Sequence, residues 1–265
     1  DADNGRIGQV AYNNTDDNLI FTTNNSARMT LSSTGVLDVD GGITVDNITI
    51  YGTEIDLSSG TLTIDAASIT LDASDSITTT TAGTSNVKLG ANAGNSIASG
   101  GNYNVVIGDE AGTALTTGDN NVAVGFLAGN KVSTGIKNTF IGASSGDANT
   151  IGFNNVALGY DAMGANTASG ANVAIGYESL KVYNNTSEAS HFNTAVGTQS
   201  GKALTTGVEN VFLGGRAGDA TTDADYNTAV GQDALTADTK GNRTTAVGFG
   251  ALQTQNFTTS TDSHN

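Results

Sequence analysis

Asn120-Asn121-Val122-Ala123-Val124-Gly125 is a stretch that recurs, with small changes, ten times in this chain. Each copy ends in a glycine, and the intervals between successive glycines are 18, 17, 17, 17, 17, 21, 17, 17 and 17 residues. Asparagine stands four residues before the glycine in nine of the ten copies. Self-similarity at a fixed period of this length indicates a repeat architecture. We call these ten residues the anchor glycines: Gly90, Gly108, Gly125, Gly142, Gly159, Gly176, Gly197, Gly214, Gly231 and Gly248.

Each repeat is predicted to form one coil of a parallel β-solenoid. The three residues before the glycine, Val122–Val124 in the quoted copy, have the character of a short strand whose side chains alternate between two faces. A second glycine follows ten residues after most anchors, as at Gly118 and Gly135, and predicts corners with backbone angles that other residues resist. One coil cannot bury its own apolar face, so stability must come from stacking coils roughly 4.8 Å apart.

The copies at 120–125, 154–159 and 171–176 read NNVAVG, NNVALG and ANVAIG. They resemble the head repeats of the YadA-like family, which occur in trimeric autotransporter adhesins and in bacteriophage tail fibres. The resemblance covers about residues 86–265 and implies a left-handed parallel β-roll in which three chains form a homotrimer. Two features differ: the second motif position, usually Ser in the family, is Asn here, and these coils are longer. Asn265 lies 17 residues after Gly248, which predicts that the repeats continue beyond it.

Two segments precede the repeats. Residues 1–28 are polar and turn-rich, and strand candidates at Ile7–Tyr12 and Leu19–Thr22 predict a small β module. Residues 29–85 carry apolar pairs with one residue between them, beginning with Met29/Leu31 and Leu37/Val39, among Thr, Ser, Asp and Gly. These fillers disfavour helices, so we predict a β-shaft that ends in a Thr-rich hinge. The predicted fold is therefore an all-β fibrous homotrimer with about ten 17-residue coils.

The composition limits the classes of partner. The chain has no Cys, Pro or Trp, and its formal net charge is -16 at pH 7. This acidic balance argues against nucleic acid, which needs basic patches, and no apolar run approaches the roughly 20 residues of a membrane span. We found no motif for a cofactor or metal and no catalytic constellation, so the chain is predicted not to be an enzyme. A glycan-cleaving site would need two carboxylates facing a sugar groove, and no pair stands out.

The one long interval within the repeats is the candidate site. Between Gly176 and Gly197, four extra residues lie within Lys181–Phe192. Insertions in solenoids form loops on one face, often the binding face, although a decorated corner without a ligand is the alternative. Threefold symmetry would display three copies of the loop and raise its avidity. The candidate receptor-binding residues, able to hydrogen-bond and stack on a sugar, are Tyr183, Asn184, Asn185, Glu188, His191 and Phe192.

A second surface feature follows the anchor glycines. The next residue is aromatic in four repeats, at Phe126, Tyr160, Tyr177 and Phe249. Tyr160 and Tyr177 belong to adjacent coils and are expected to stack. Such a strip either binds carbohydrate or packs a corner or a subunit contact.

Together these features predict a structural and host-attachment fibre of a phage tail. Its expected partners are two further copies of the chain, other virion tail proteins and a host cell-surface receptor, with carbohydrate as a candidate. The alternatives are the head of a bacterial trimeric autotransporter adhesin at the cell surface and, less favoured, a polysaccharide-degrading tailspike.

Overall fold

A computed structural model describes residues 9–13, 15, 18–23, 26–31, 37–39 and 83–263. The strands fall into two units, one within residues 1–69 and the other within residues 70–265. Over the described ranges the secondary structure is β, with turns and no helix. The all-β prediction is confirmed for this part of the chain.

The first unit is a four-stranded antiparallel sheet in which neighbours in sequence pair. Its strands are β1 (Gln9–Asn13), β2 (Asn18–Thr23), β3 (Ser26–Leu31) and β4 (Leu37–Val39). The two strand candidates of the predicted β module correspond to β1 and β2, which pair antiparallel. The sheet continues past residue 28, since the first two apolar pairs assigned to the shaft lie in β3 and β4. Of the rest of the predicted shaft, only residues 83–85 are among the described residues.

The second unit is a parallel β-solenoid of ten coils, as predicted. Each coil contributes a three-residue strand, and each strand pairs in parallel with the strand of the next coil. A two-stranded sheet of β14 (Gly241–Asn242) and β16 (Thr261–Asp262) lies at the C-terminal side. The ten strands are β5 (Val87–Leu89), β6 (Val105–Ile107), β7 (Val122–Val124), β8 (Thr139–Ile141), β9 (Val156–Leu158), β10 (Val173–Ile175), β11 (Thr194–Val196), β12 (Val211–Leu213), β13 (Thr228–Val230) and β15 (Thr245–Val247).

The recurring asparagines form a ladder inside the solenoid. The backbone N–H of Asn121 donates to Oδ1 of Asn104 at 2.8 Å, and that of Asn138 donates to Oδ1 of Asn121 at 3.0 Å. The amide nitrogen of Asn121 also donates to the carbonyl of Gly135 at 2.8 Å. These side chains are buried. Because an unpartnered buried amide is costly, the ladder favours one stacking register.

Glycine is required at the two positions of the coil for different physical reasons. The anchor glycines have φ between +123° and +136°, and a Cβ on Gly159 would lie 2.6 Å from the carbonyl oxygen of Gly176. Among the second glycines, Gly100 has φ +105°, but Gly118, Gly135, Gly152, Gly207 and Gly241 have no positive φ, so the prediction of unusual backbone angles is wrong for these five. Their constraint is close stacking, since a Cβ on Gly135 would lie 2.6 Å from the oxygen of Gly152.

The narrow interior is filled by complementary pairs. The middle residue of each strand faces inward, and in several coils the residue six positions later is small where the strand residue is large and large where it is small. A Cβ on Gly146 would lie 2.5 Å from the ring of Phe140, so a large strand residue requires a glycine opposite. At Ala157, Ala174 and Ala229 a long side chain stands six positions later. At Ala123 and Ala195 that position is Gly129 and Gly201, and the ring of Phe140 or Phe212 in the next coil lies beside the glycine. The buried pairs are Phe140 with Gly146, Ala157 with Met163, Ala174 with Leu180, Phe212 with Gly218 and Ala229 with Leu235.

Candidate functional site

The long coil keeps the solenoid register on both sides of its extra residues. The side-chain nitrogen of Asn185 donates to the carbonyl of Thr206, 21 residues further on, at 3.0 Å. The N–H of Asn210 donates to Oδ1 of Asn193, 17 residues before it, at 3.1 Å. The four additional residues therefore lie between Asn185 and Asn193. Residues 186–188 are exposed, and they form the tip of the loop.

Two of the six candidate residues lie inside the coil. Tyr183 is 0% exposed and His191 6% exposed, with the Tyr183 hydroxyl 2.8 Å from Nδ1 of His191. The two rings meet edge to face at 6.2 Å between centroids. Burial raises the pKa of Tyr183 and lowers the pKa of His191. This pair braces the long coil from within, and neither side chain faces a ligand at the surface.

The other four candidate residues are at the surface or half-buried. Oδ1 of Asn184 accepts a hydrogen bond from the hydroxyl of Thr167 at 2.8 Å, which fixes that side chain against the preceding coil. Glu188 is exposed and Phe192 is 59% exposed. The loop thus presents a carboxylate, an aromatic ring and amide groups to an approaching molecule.

An ion-pair network that the sequence analysis did not predict begins the long coil. Glu178 accepts hydrogen bonds from Lys181 at 2.7 Å and Gln199 at 3.0 Å, and pairs with Lys202 at 2.6 Å. Lys181 also pairs with Asp161 at 2.8 Å. The bonds from Lys181, Lys202 and Gln199 lower the pKa of Glu178 to about 2. The network joins three successive coils with two negative and two positive charges.

The surface of the ten-stranded sheet that points away from the interior is apolar. We call it the outer face and define it as the first and third residue of each strand, all of which are Val, Ile, Leu or Thr. Most are half-buried, whereas the middle residue is buried in every strand except β5, where Lys88 is half-buried, so the predicted alternation is confirmed for the other nine strands. The most exposed Val and Leu members are Val247 (68%), Leu89 (66%), Leu158 (41%), Val87 (39%) and Leu213 (36%).

The row of residues that follow the anchor glycines runs beside the outer face. The rings of Tyr160 and Tyr177 stack, with centroids 5.6 Å apart and planes at 14°, as predicted. About half of each side chain is exposed, and Phe126 is exposed to the same degree. We call this row the aromatic row.

Neither a membrane-spanning helix nor a cluster of metal-ligating side chains is found in the described part of the chain. There, no helix has the length and apolar character needed to cross a membrane. Within the same residues, no three His, Asp or Glu side chains come together as a metal site would require. Comparison with protein-family models, with curated proteins and with solved structures gave no match to this chain.

Proposed function

We propose that this chain forms a homotrimeric β-rod that serves as a host-attachment fibre of a phage tail. The observation that carries the proposal is the outer face, an uncharged surface that continues along all ten strands. Monomeric soluble proteins rarely expose large contiguous apolar patches. The 26 acidic and 10 basic residues of the chain all lie elsewhere, which keeps this one surface free for contact.

Copies of the same chain are the partners that fit the outer face. Its pattern repeats with every coil over roughly 48 Å, so a partner needs matching side chains at the same spacing. A second solenoid supplies that repeat. Rods that point in one direction around a common axis satisfy cyclic symmetry, and three such faces can enclose that axis. The resemblance to YadA-like head repeats supports three copies rather than two.

In the proposed trimer, the host receptor is bound by a surface that remains exposed to solvent. The loop at 186–188, with Glu188 and Phe192, lies at the one break in the regular period between Gly108 and Gly248. Threefold symmetry presents three such loops at fixed distances, which converts weak contacts into useful avidity. In this proposal the fibre is joined to other virion tail proteins, binds a host cell-surface receptor and cleaves nothing.

The proposal is tested by attachment to whole cells. Fluorescently labelled protein is incubated with a panel of bacterial strains, and the fraction that pellets with the cells is measured. We expect strain-selective binding, and binding to no strain would contradict the proposal. A deletion of Thr186–Ala189 should restore a regular coil, keep the oligomer and weaken attachment. If this deletion variant attaches as well as the parent, the loop is not the receptor site.

A further inference from the structure

We propose that Phe126, Ala143 and Tyr160 form a slot that binds one pyranose ring of a neutral glycan. Phe126 and Tyr160 are the two walls, and Ala143 is the floor between them. The slot supplies a ligand class for the attachment proposed above and rests on that function for its biological setting. Its geometry is independent of the long-coil loop.

The three residues occupy one row in three successive coils. The N–H of Ser144 donates to the carbonyl of Phe126 at 2.9 Å, and the N–H of Asp161 donates to that of Ala143 at 3.0 Å. Each residue of the row is therefore stacked on its counterpart in the next coil. An alanine between two aromatic residues leaves a gap one coil wide in the row.

The orientation of the Tyr160 ring follows from its stacking on Tyr177 in the next coil. Its ring is nearly parallel to that of Tyr177, with centroids 5.6 Å apart, and at this distance parallel rings are offset-stacked rather than side by side. Tyr177 covers one face of Tyr160, and the opposite face is directed toward the coil of Ala143.

The width of the gap suits one inserted ring. Two coil spacings place the walls roughly 9.6 Å apart, and carbon atoms in contact need about 3.5–4.0 Å on each side of a guest. The walls are thus too far apart to touch each other and close enough to hold a puckered sugar ring. Phe126 and Tyr160 are each 52% exposed, so the slot is open to solvent.

The polar groups around the row favour an uncharged sugar. Tyr160 carries its own hydroxyl, and Ser144 and Asp161 each follow a member of the row in sequence. Asp161 is paired with Lys181 at 2.8 Å, so its charge is balanced. The net charge of -16 disfavours acidic glycans at longer range. A pyranose offers C–H groups to the two rings and hydroxyls to the polar groups.

The test uses an array of oligosaccharides built from neutral hexoses and N-acetylhexosamines, with sialylated versions beside them, followed by titration of the best binder. We expect the parent to bind at least one neutral glycan. Ala143→Phe should weaken that binding by at least roughly tenfold, because it fills the slot with a residue type that the row already accepts. Phe249→Ala is the matched control, because Phe249 belongs to the row but its counterpart in the preceding coil is Gln232, which is not aromatic. Its affinity should equal that of the parent.

Several results would overturn the slot. The parent binds no neutral glycan, or Ala143→Phe binds as well as the parent. Alternatively, Phe126→Ala or Tyr160→Ala dissociates the oligomer in light scattering, which would make the row a subunit contact. The cell panel separates this proposal from the previous one. Glycan binding without attachment to any strain retains the slot and rejects host attachment, whereas attachment without glycan binding does the reverse.

Discussion

The inner and outer faces of the ten-stranded sheet differ in the size of their apolar side chains. The larger ones usually lie in the interior of a protein, but in this sheet they lie on the outer face. Inward positions are mostly Ala, as at Ala157 and Ala174, and are buried. Outward positions one residue away, such as Leu158 and Ile175, carry larger apolar side chains and are partly exposed. The narrow coil limits side-chain size inside, so the larger apolar surface of the sheet is on the outside. A sheet with both faces apolar is expected to be covered on both.

Replacing the anchor glycine beside these strands should have the largest effect, because both faces depend on coil stacking. In Gly159→Val, a side chain must adopt φ +131° and meet the carbonyl of Gly176. We expect a loss of at least about 4 kcal/mol in the free energy of unfolding. Gly215→Ala is the control, since its Cβ would meet nothing within 4 Å, and should change stability by less than about 0.5 kcal/mol. Urea unfolding curves measure both, and an unchanged Gly159→Val midpoint would show that the glycine is incidental.

The inner face can be tested through one of its large residues. Phe140→Ala leaves a cavity in the interior and should cost about 3–5 kcal/mol. Adding Gly146→Leu converts this coil to the Ala–Leu pairing seen at Ala174 and Leu180, and part of the loss should be recovered. Leu180 adopts φ +47° at the equivalent position, so a leucine is tolerated there. A double variant no more stable than Phe140→Ala would refute complementary filling.

The outer face should respond in association rather than in folding. Leu158→Lys combined with Ile175→Lys places charges on the face where we propose that the subunits meet, and we expect a folded protein of lower mass. Thr186→Lys with Ser187→Lys adds the same charge to the exposed loop and should leave the mass unchanged. Circular dichroism reports folding, and light scattering reports mass. If the Leu158/Ile175 variant retains the parent mass, the outer face is not the contact.

The interior holds a titratable group, which adds a smaller pH effect. Burial lowers the pKa of His191, so the unfolded chain takes up a proton first as the pH falls. The stability contribution of neutral His191 is therefore fully present above about pH 6.5 and declines below it. Unfolding midpoints at pH 7.5 and 5.5 should differ less in His191→Gln than in the parent. Tyr183→Phe keeps the histidine and should keep the parent's pH dependence, and an equal slope in all three proteins would contradict this origin.

Much of the solenoid was predictable because its constraints repeat in the sequence. The three-residue strands and the stacking of Tyr160 on Tyr177 follow from aligning the anchor glycines. The same alignment places Tyr183 at the position of Leu115 and Leu204, both buried, and so contained the signal that Tyr183 faces inward. The sequence analysis instead grouped Tyr183 with the surface loop, because Tyr183 lies within the segment Lys181–Phe192 that contains the four extra residues.

Other features depend on contacts between coils whose residues are far apart in sequence. The ion pair between Glu178 and Lys202 joins residues of two adjacent coils. The anchor glycines of these coils are 21 residues apart rather than the usual 17. No local pattern marks such a pair. The cause of the second glycines was likewise missed, since close approach of Gly135 to Gly152 depends on stacking rather than on the backbone angles of one residue. A glycine in the sequence does not by itself show whether it is required for a positive φ or for close approach of two coils.

The mass of the purified protein in solution tests the central claim, burial of the outer face between copies of the chain, most directly. One chain is 26.6 kDa. Light scattering coupled to size-exclusion chromatography should give three times that mass, constant over a wide range of protein concentration. A stable species of one chain mass, with the outer face exposed to solvent, would contradict the trimer and the fibre built on it.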